Sequence, residues 1–402
     1  MKRLLSGLVF LGLAGCGGGA GPQEETIKIG ALASATGELA STGLANLEAM
    51  NLAVAEINAA GGVLGRKLEI VHRDDGGDPV KAKAAAEALV TEEVKMVVGA
   101  QGSAFTLAGA EVLSPAGIPQ ISPSSTSPLL TVFEDDGYLF RACPSDAFQG
   151  KLIAQRSRIR GHQTAAVLFS GGPYGEGFAN AFKQDFEAAG GTVFSHRFET
   201  GQTSFADLLA AVFENSPDAI VLVAYPVDGP RIVKEYITGF PDRGAFWFFG
   251  DAIAVQDFVD GVGASGFTFS HEGTVPALPS GARFDAFAGA YQARYGKTAG
   301  GGTYAAQAYD AVYLAALAME QGGKAESAAI RDALRSVSAG GTPFGAGQFK
   351  DAVAAIKAGQ DIDYDGASGP VDFDEAGDVS APYDIWQVKN GAIVVTEPSV
   401  NP

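Results

Sequence analysis

Two α/β lobes, each a doubly wound parallel sheet, are the fold this sequence predicts, and three observations point to it. From Thr26 onward, short apolar or alternating segments take turns with segments of helical period. The same rhythm starts again after Pro144. With 47% hydrophobic and only 18% charged residues, the 402-residue chain also has enough apolar surface for two cores.

The elements follow in order. Ile27 and Ile29 alternate with polar neighbours as a strand does. Leu47, Met50, Val54 and Ile57 recur at helical spacing, and Gly61-Gly62 supplies the left-handed stop. Leu68 to Val71 is the next strand, and Pro79 opens a helix where its missing N–H costs nothing. Met96 to Gly99 is a strand, Ser103 to Leu113 a helix, and Ile118 to Ser122 a strand. After Pro144 come strand Thr164 to Phe169, helix Tyr174 to Ala188, strand Val193 to Ser195 and helix Phe205 to Phe213. Ala219 to Ala224 is apolar almost throughout, as a strand covered on both faces must be. Ala245 to Phe249 and Phe267 to Phe269 extend that sheet. Helices are expected over Arg283 to Tyr295, Tyr304 to Gln321 and Ser327 to Val337. Val371 to Phe373 and Tyr383 to Val388 are strands, and Lys389-Asn390-Gly391 is a hairpin turn. In open α/β sheets ligands bind beyond the carboxyl ends of the strands, so the cleft between the lobes is the expected site.

The N-terminus carries a different signal. Lys2 and Arg3 precede an apolar run, Leu4 to Leu13, that is too short to span a bilayer. Leu13-Ala14-Gly15-Cys16 then resembles a bacterial lipobox, which makes residues 1–16 a lipoprotein signal with Cys16 as the lipidated residue. Residues 17–25, rich in glycine, form a flexible tether. The expected location is the periplasm or the outer face of the cell membrane. Losing Lys2 and Arg3 takes the formal charge from −18 to −20, which repels phosphate backbones and argues against nucleic acid as a partner. With Cys16 assigned to lipid, Cys143 has no disulfide partner and is expected to be a buried thiol.

Catalytic signatures are missing from the sequence. It has no G-x-S-x-G elbow, and His72, His162, His196 and His271 lack metal or triad spacing. Gly261 to Gly266 satisfies G-x-G-x-x-G but precedes a strand, the wrong context for a dinucleotide. No enzyme activity, cofactor or metal is expected. Asp361, Asp363, Asp365, Gly366 and Asp372 match positions of a calcium loop, yet no helix follows, and an acidic turn entering a strand is the preferred reading.

Ile57-Asn58-Ala59-Ala60-Gly61-Gly62-Val63-Leu64-Gly65-Arg66-Lys67-Leu68-Glu69, followed by Asp74-Asp75, resembles the N-terminal signature of type I periplasmic binding proteins. Within them it is similar to the leucine/isoleucine/valine-binding group, which serves ABC transporters. The likeness runs on through Ile121 to Thr126, Tyr174 to Gly177 and Gly366 to Asp374, and covers essentially all the mature chain. It implies two lobes joined by a three-strand hinge, each lobe discontinuous in sequence. Crossovers near Cys143, Thr274 and Phe349 divide the chain into residues 26–142 plus 275–348 and residues 143–274 plus 349–402.

The resemblance also implies a site. Ser103 and Thr126 match positions that hold a ligand α-carboxylate, with Ser124 and Ser125 offering backbone contacts. Independently, Ser103 stands at a helix start, where free amides favour an anion, although it also suits a cap. Asp251 ends an apolar strand and matches the family's acceptor for the ammonium. Tyr174 and Tyr225 stand at strand ends that face the cleft. Thr42 departs from the pattern, because branched-chain binders often carry an aromatic there and a small residue enlarges the pocket. The implied partners are an amino acid and the ABC permease and ATPase subunits. A ligand-sensing protein of the same fold, for an amide, urea or carboxylic acid, is the alternative.

Overall fold

The computed structural model describes residues 26–401. The leader, Cys16 and the tether lie outside the described residues.

The chain opens with β1 (Ile27–Leu32), α1 (Ala40–Ala59), β2 (Leu68–Arg73), α2 (Pro79–Thr91), β3 (Val97–Gly99), α3 (Ser103–Leu113), β4 (Gln120–Ser122) and β5 (Leu139–Arg141). These strands form one parallel sheet in the order β2-β1-β3-β4-β5. Sequence chemistry sets the helix starts. At α2, Asp78 accepts from the amides of Val80 and Lys81 at 2.9 Å each, with Pro79 directly behind it.

The second lobe runs α4 (Asp146–Ile159), β6 (Thr164–Ser170), α5 (Pro173–Ala188), β7 (Thr192–Phe198), α6 (Ala206–Glu214), β8 (Ala219–Val223), α7 (Gly229–Gly239), β9 (Phe246–Phe249), α8 (Gln256–Val262) and β10 (His271–Pro276). The chain then returns to the first lobe with α9 (Ala282–Tyr295), α10 (Ala305–Gly322), α11 (Ser327–Ser338), β11 (Thr342–Phe344), α12 (Phe349–Lys357), β12 (Ile362–Gly366) and β13 (Gly369–Pro370). It ends in the second lobe as the hairpin β14 (Tyr383–Lys389) and β15 (Ala392–Val400). The second sheet has the order β15-β14-β10-β9-β8-β6-β7, parallel except where β14 and β15 join it antiparallel. Helix α10 is buried on every side from Ala305 to Glu320 and forms the centre of the first core. Among the described residues no helix is long and apolar enough to cross a membrane.

Three expectations need correction. Residues 349–402 were assigned to the second lobe with a crossover near Phe349, but the chain stays in the first lobe for about thirty residues more. Phe349, Ala352 and Ala355 of α12 are buried in the same core as α10, together with Tyr364, Val371, Phe373 and Val379. Asp310 of α10 fastens that segment, accepting from Tyr364 Oη at 2.7 Å, Ala367 N at 2.8 Å and Ser368 N at 2.7 Å. The third crossover therefore follows Val379, which bridges to Pro144 beside the first crossover. The second comes after Pro276, where β10 ends. Phe267–Phe269 is not a strand; those rings pack on Trp247 and His271, and the strand begins at His271. Val371 to Phe373 is buried but pairs with no strand. The acidic run extends as β12, with Asp365 ion-paired to Arg283, rather than curling into a ligand loop.

Candidate functional site

The lobes face each other across a narrow cavity of about 20 Å³. Leu39, Thr42, Gln101, Gly102, Ser103 and Ser124 line it from the first lobe, joined by Gly302 and Tyr304 from the loop before α10. Tyr174, Tyr225, Asp251 and Ala252 line it from the second.

One end offers hydrogen-bond donors. Ser103 is the first residue of α3, after an extended Gly102, so first-turn amides without intrahelical acceptors point at the cleft. The Ser103 hydroxyl accepts from Ser127 N at 3.2 Å and keeps its own proton to donate. Ser124 lines the cavity but spends its hydroxyl on Gln101 O at 2.9 Å. Ser125 does not reach the cavity: its hydroxyl pairs with Thr106 Oγ1 at 2.7 Å inside the lobe. Thr126 is buried beside the cavity without lining it. Its carbonyl accepts from Asp146 N at 2.7 Å and Arg141 Nη1 at 3.0 Å, while among the described residues its hydroxyl meets no partner in good hydrogen-bond geometry. Arg141, itself buried, also binds Ser127 O and forms an ion pair with Asp378, so this loop is anchored from behind.

The other end offers an acceptor. Asp251 opens the short turn after β9 and is buried. It accepts from Tyr174 Oη at 3.0 Å and from Tyr304 Oη, one tyrosine from each lobe. Burial pushes the Asp251 carboxyl above its usual range, and the two hydroxyls pull it part of the way back. Tyr174 and Tyr304 are raised well above the ordinary tyrosine value, by burial and then by the Asp251 charge, and so stay protonated as donors. Tyr174 is the second residue of α5, and that helix can pack against the end of β6 only because Gly175 has no Cβ. An added Cβ would lie 1.9 Å from Ser170 O. Tyr225 stacks on Tyr174 with centroids 5.3 Å apart, forming an aromatic wall.

Of the residues expected from sequence, Ser103, Ser124, Tyr174, Tyr225 and Asp251 meet in one cavity, and Ser125 and Thr126 stand outside it. Sequence reasoning missed Tyr304, which it placed inside a helix. In the structure Tyr304 precedes α10 with a left-handed backbone, φ 55°, that turns its ring into the cleft. The glycine run Gly300-Gly301-Gly302 just before it was the available signal.

The sequence profile of the periplasmic binding protein family matches residues 26–392. A leucine-, isoleucine-, valine-, threonine- and alanine-binding protein of Pseudomonas aeruginosa is 30% identical over 84% of this chain and 88% of its own length. A Leu/Ile/Val-binding protein homolog of Brucella melitensis is 27% identical over 98% of this chain and 99% of its own. Among solved structures, the substrate-binding protein LivJ of a branched-chain amino acid transporter from Streptococcus pneumoniae, in complex with isoleucine, is similar. It superposes with a TM-score of 0.78 at 29% identity, over 94% of this chain and 100% of LivJ. With the two-lobe architecture above, these likenesses place the chain in the type I periplasmic binding proteins of the branched-chain amino acid family.

Proposed function

We propose that this protein is the extracytoplasmic capture subunit of an ABC importer and takes up a small aliphatic α-amino acid by closing its lobes on it. One observation carries the reading: a buried carboxylate, Asp251, and a helix start at Ser103 line the same small cavity from opposite lobes. A free amino acid presents an ammonium and a carboxylate, and burying both requires a charged acceptor and a set of donors, as found here. Leu39 and Thr42 are left to meet the side chain. Binding, not catalysis, is the role. The permease and ATPase subunits would receive the ligand from the closed form.

A thermal-stability screen tests this. Leucine, isoleucine, valine, threonine or alanine at a hundred times its dissociation constant should add about 2.7 kcal/mol of stability. Stabilisation by carboxylic acids that lack an amine, with none from these amino acids, would overturn the amino-acid reading.

The lipid anchor belongs to the same proposal and rests on Leu13-Ala14-Gly15-Cys16. Metabolic labelling with a fatty acid should mark the full-length chain, and Cys16→Ser should lose the label and leave the membrane fraction. A label unchanged by Cys16→Ser would refute it.

A further inference from the structure

The first lobe carries a further cavity, at the pole away from the cleft. Strands β1, β2 and β3 run parallel, so the turns that lead into them gather at one end of the sheet, and the cleft residues that follow them stand at the other. Thr26 and Lys28 at the start of β1, Arg66 before β2 and Lys95 before β3 meet Lys324 from the turn between α10 and α11 there. Together they surround a pocket of about 700 Å³. Amino-acid capture in the cleft makes no use of it.

Its charge sets it apart. The whole chain has a formal net charge of −18, yet four cationic side chains, Lys28, Arg66, Lys95 and Lys324, line this pocket. Of its three acids, Glu92 is already matched by Arg73, which stands outside the lining. Lys28 Nζ donates to a carbonyl, Glu92 O at 3.2 Å. Among the described residues, the half-buried Lys95 ammonium makes no hydrogen bond or ion pair. An ammonium that has shed part of its water with no anion beside it is suited to a phosphate. The remaining acids, Glu93 and Glu326, are exposed, and Glu326 stands 3.9 Å from Lys324. A lining of both signs suits a ligand of both signs.

The place where the chain enters points to the source. Thr26 lines the pocket and follows Cys16 by ten residues, at most about 35 Å of chain. With Cys16 held in a bilayer, the pocket stays within that reach of the lipid headgroups. A linker this short keeps the two at an effective concentration on the order of millimolar, so even a weak site fills.

We propose that this pocket seats a zwitterionic phospholipid headgroup, a phosphate diester with a primary ammonium, from the membrane that holds the anchor. The phosphate lies against Lys28 and Lys95, and the ammonium against Glu93 or Glu326. A purely anionic surface would leave those acids unmatched and would repel the rest of so acidic a chain. Seated in this way, the protein stands on its first lobe with the cleft turned toward the solution. The proposal rests on the lipid-anchor reading of Leu13-Ala14-Gly15-Cys16.

Hydrogen exchange on the lipidated protein, in vesicles of defined composition, tests it. In phosphatidylcholine vesicles that contain phosphatidylethanolamine, amides of residues 92–96 and 323–327 should exchange severalfold more slowly than in phosphatidylcholine alone. The quaternary ammonium of phosphatidylcholine has no proton to give Glu93 or Glu326. Amides of α7, on the second lobe, should not change. Lys28→Glu combined with Lys95→Glu should abolish the difference while leaving the fatty-acid label and the circular dichroism spectrum as they were. Equal exchange in the two kinds of vesicle would overturn the proposal, as would protection that appears only with phosphatidylglycerol. Protection of the Cys16→Ser chain by free phosphoethanolamine, with none of the lipidated protein by vesicles, would overturn the lipid as the source. A chain that takes no fatty-acid label would instead overturn the anchor reading, and this proposal with it.

Discussion

Replacing Asp251 with alanine is expected to weaken amino-acid binding by a hundredfold to several thousandfold while leaving the fold intact. Removing one member of a buried charge pair strands the other, at a cost of about 3–5 kcal/mol. At about 1.4 kcal/mol per tenfold, this gives the stated range. Here the stranded group is the ligand ammonium, and the hydroxyls of Tyr174 and Tyr304 lose their shared acceptor as well. The fold should tolerate the change because burial already disfavours the ionised carboxylate. Asp251 is raised in the native state, so whatever stability it contributes is present in acid and is lost as pH rises. Ser103→Ala should cost no more than about tenfold, since the amides at the start of α3 still serve the carboxylate. Calorimetry on both variants, with circular dichroism to confirm folding, checks the order. An Asp251→Ala protein that binds as tightly as the parent would show that the ligand places no ammonium there.

The second large effect is steric and lies where the lobes touch. Gly302, from the first lobe, approaches Ala254 of the second so closely that an added Cβ would lie 2.1 Å from the Ala254 carbonyl oxygen. Both neighbours are backbone, so no side chain can swing aside. Gly302→Ala should therefore hold the lobes apart, keeping Asp251 and Tyr174 from a ligand resting on Ser103. If the closed form falls to about one part in a hundred, apparent affinity falls by about a hundredfold. X-ray scattering at saturating ligand should then give a larger radius of gyration than the parent protein. Gly289→Ala, on α9 with open space around it, is the control and should change neither quantity. Equal affinity and equal scattering for Gly302→Ala would show that closure does not pass through this contact.

Much of the fold was legible because its signals are local. Ser103 to Leu113 is a helix to the residue, and Pro79, Gly190-Gly191 and Lys389-Asn390-Gly391 punctuate the chain as their backbone preferences require. What escaped depends on partners far away in sequence. Helix α4 shows no clean apolar stripe, because a half-buried Arg156 pairs with the buried Glu272 of β10, and such an ion pair looks like surface in a sequence. Helix α12 carries an apolar face, but only the position of α10 decides which lobe receives it. At the site, Ser103, Tyr174, Tyr225 and Asp251 stand at the ends of strands or starts of helices, which a topological rule finds. Tyr304 turns into the cleft through its own left-handed backbone, which helical periodicity does not encode for a tyrosine and to which only the preceding glycine run points.

The return of the chain's last segment to the second lobe bears on how the protein is made. Trp386 of β14 is fully buried, stacks on Phe249 at 5.7 Å and fills the space that Gly273 leaves open beside it. Strand β14 is also the neighbour of β10, more than a hundred residues earlier. As the ribosome extends the chain, the second lobe lacks this edge and its tryptophan until β14 has been made. The first lobe likewise waits for β12. Neither half can complete its core before the segment that returns to it has been made.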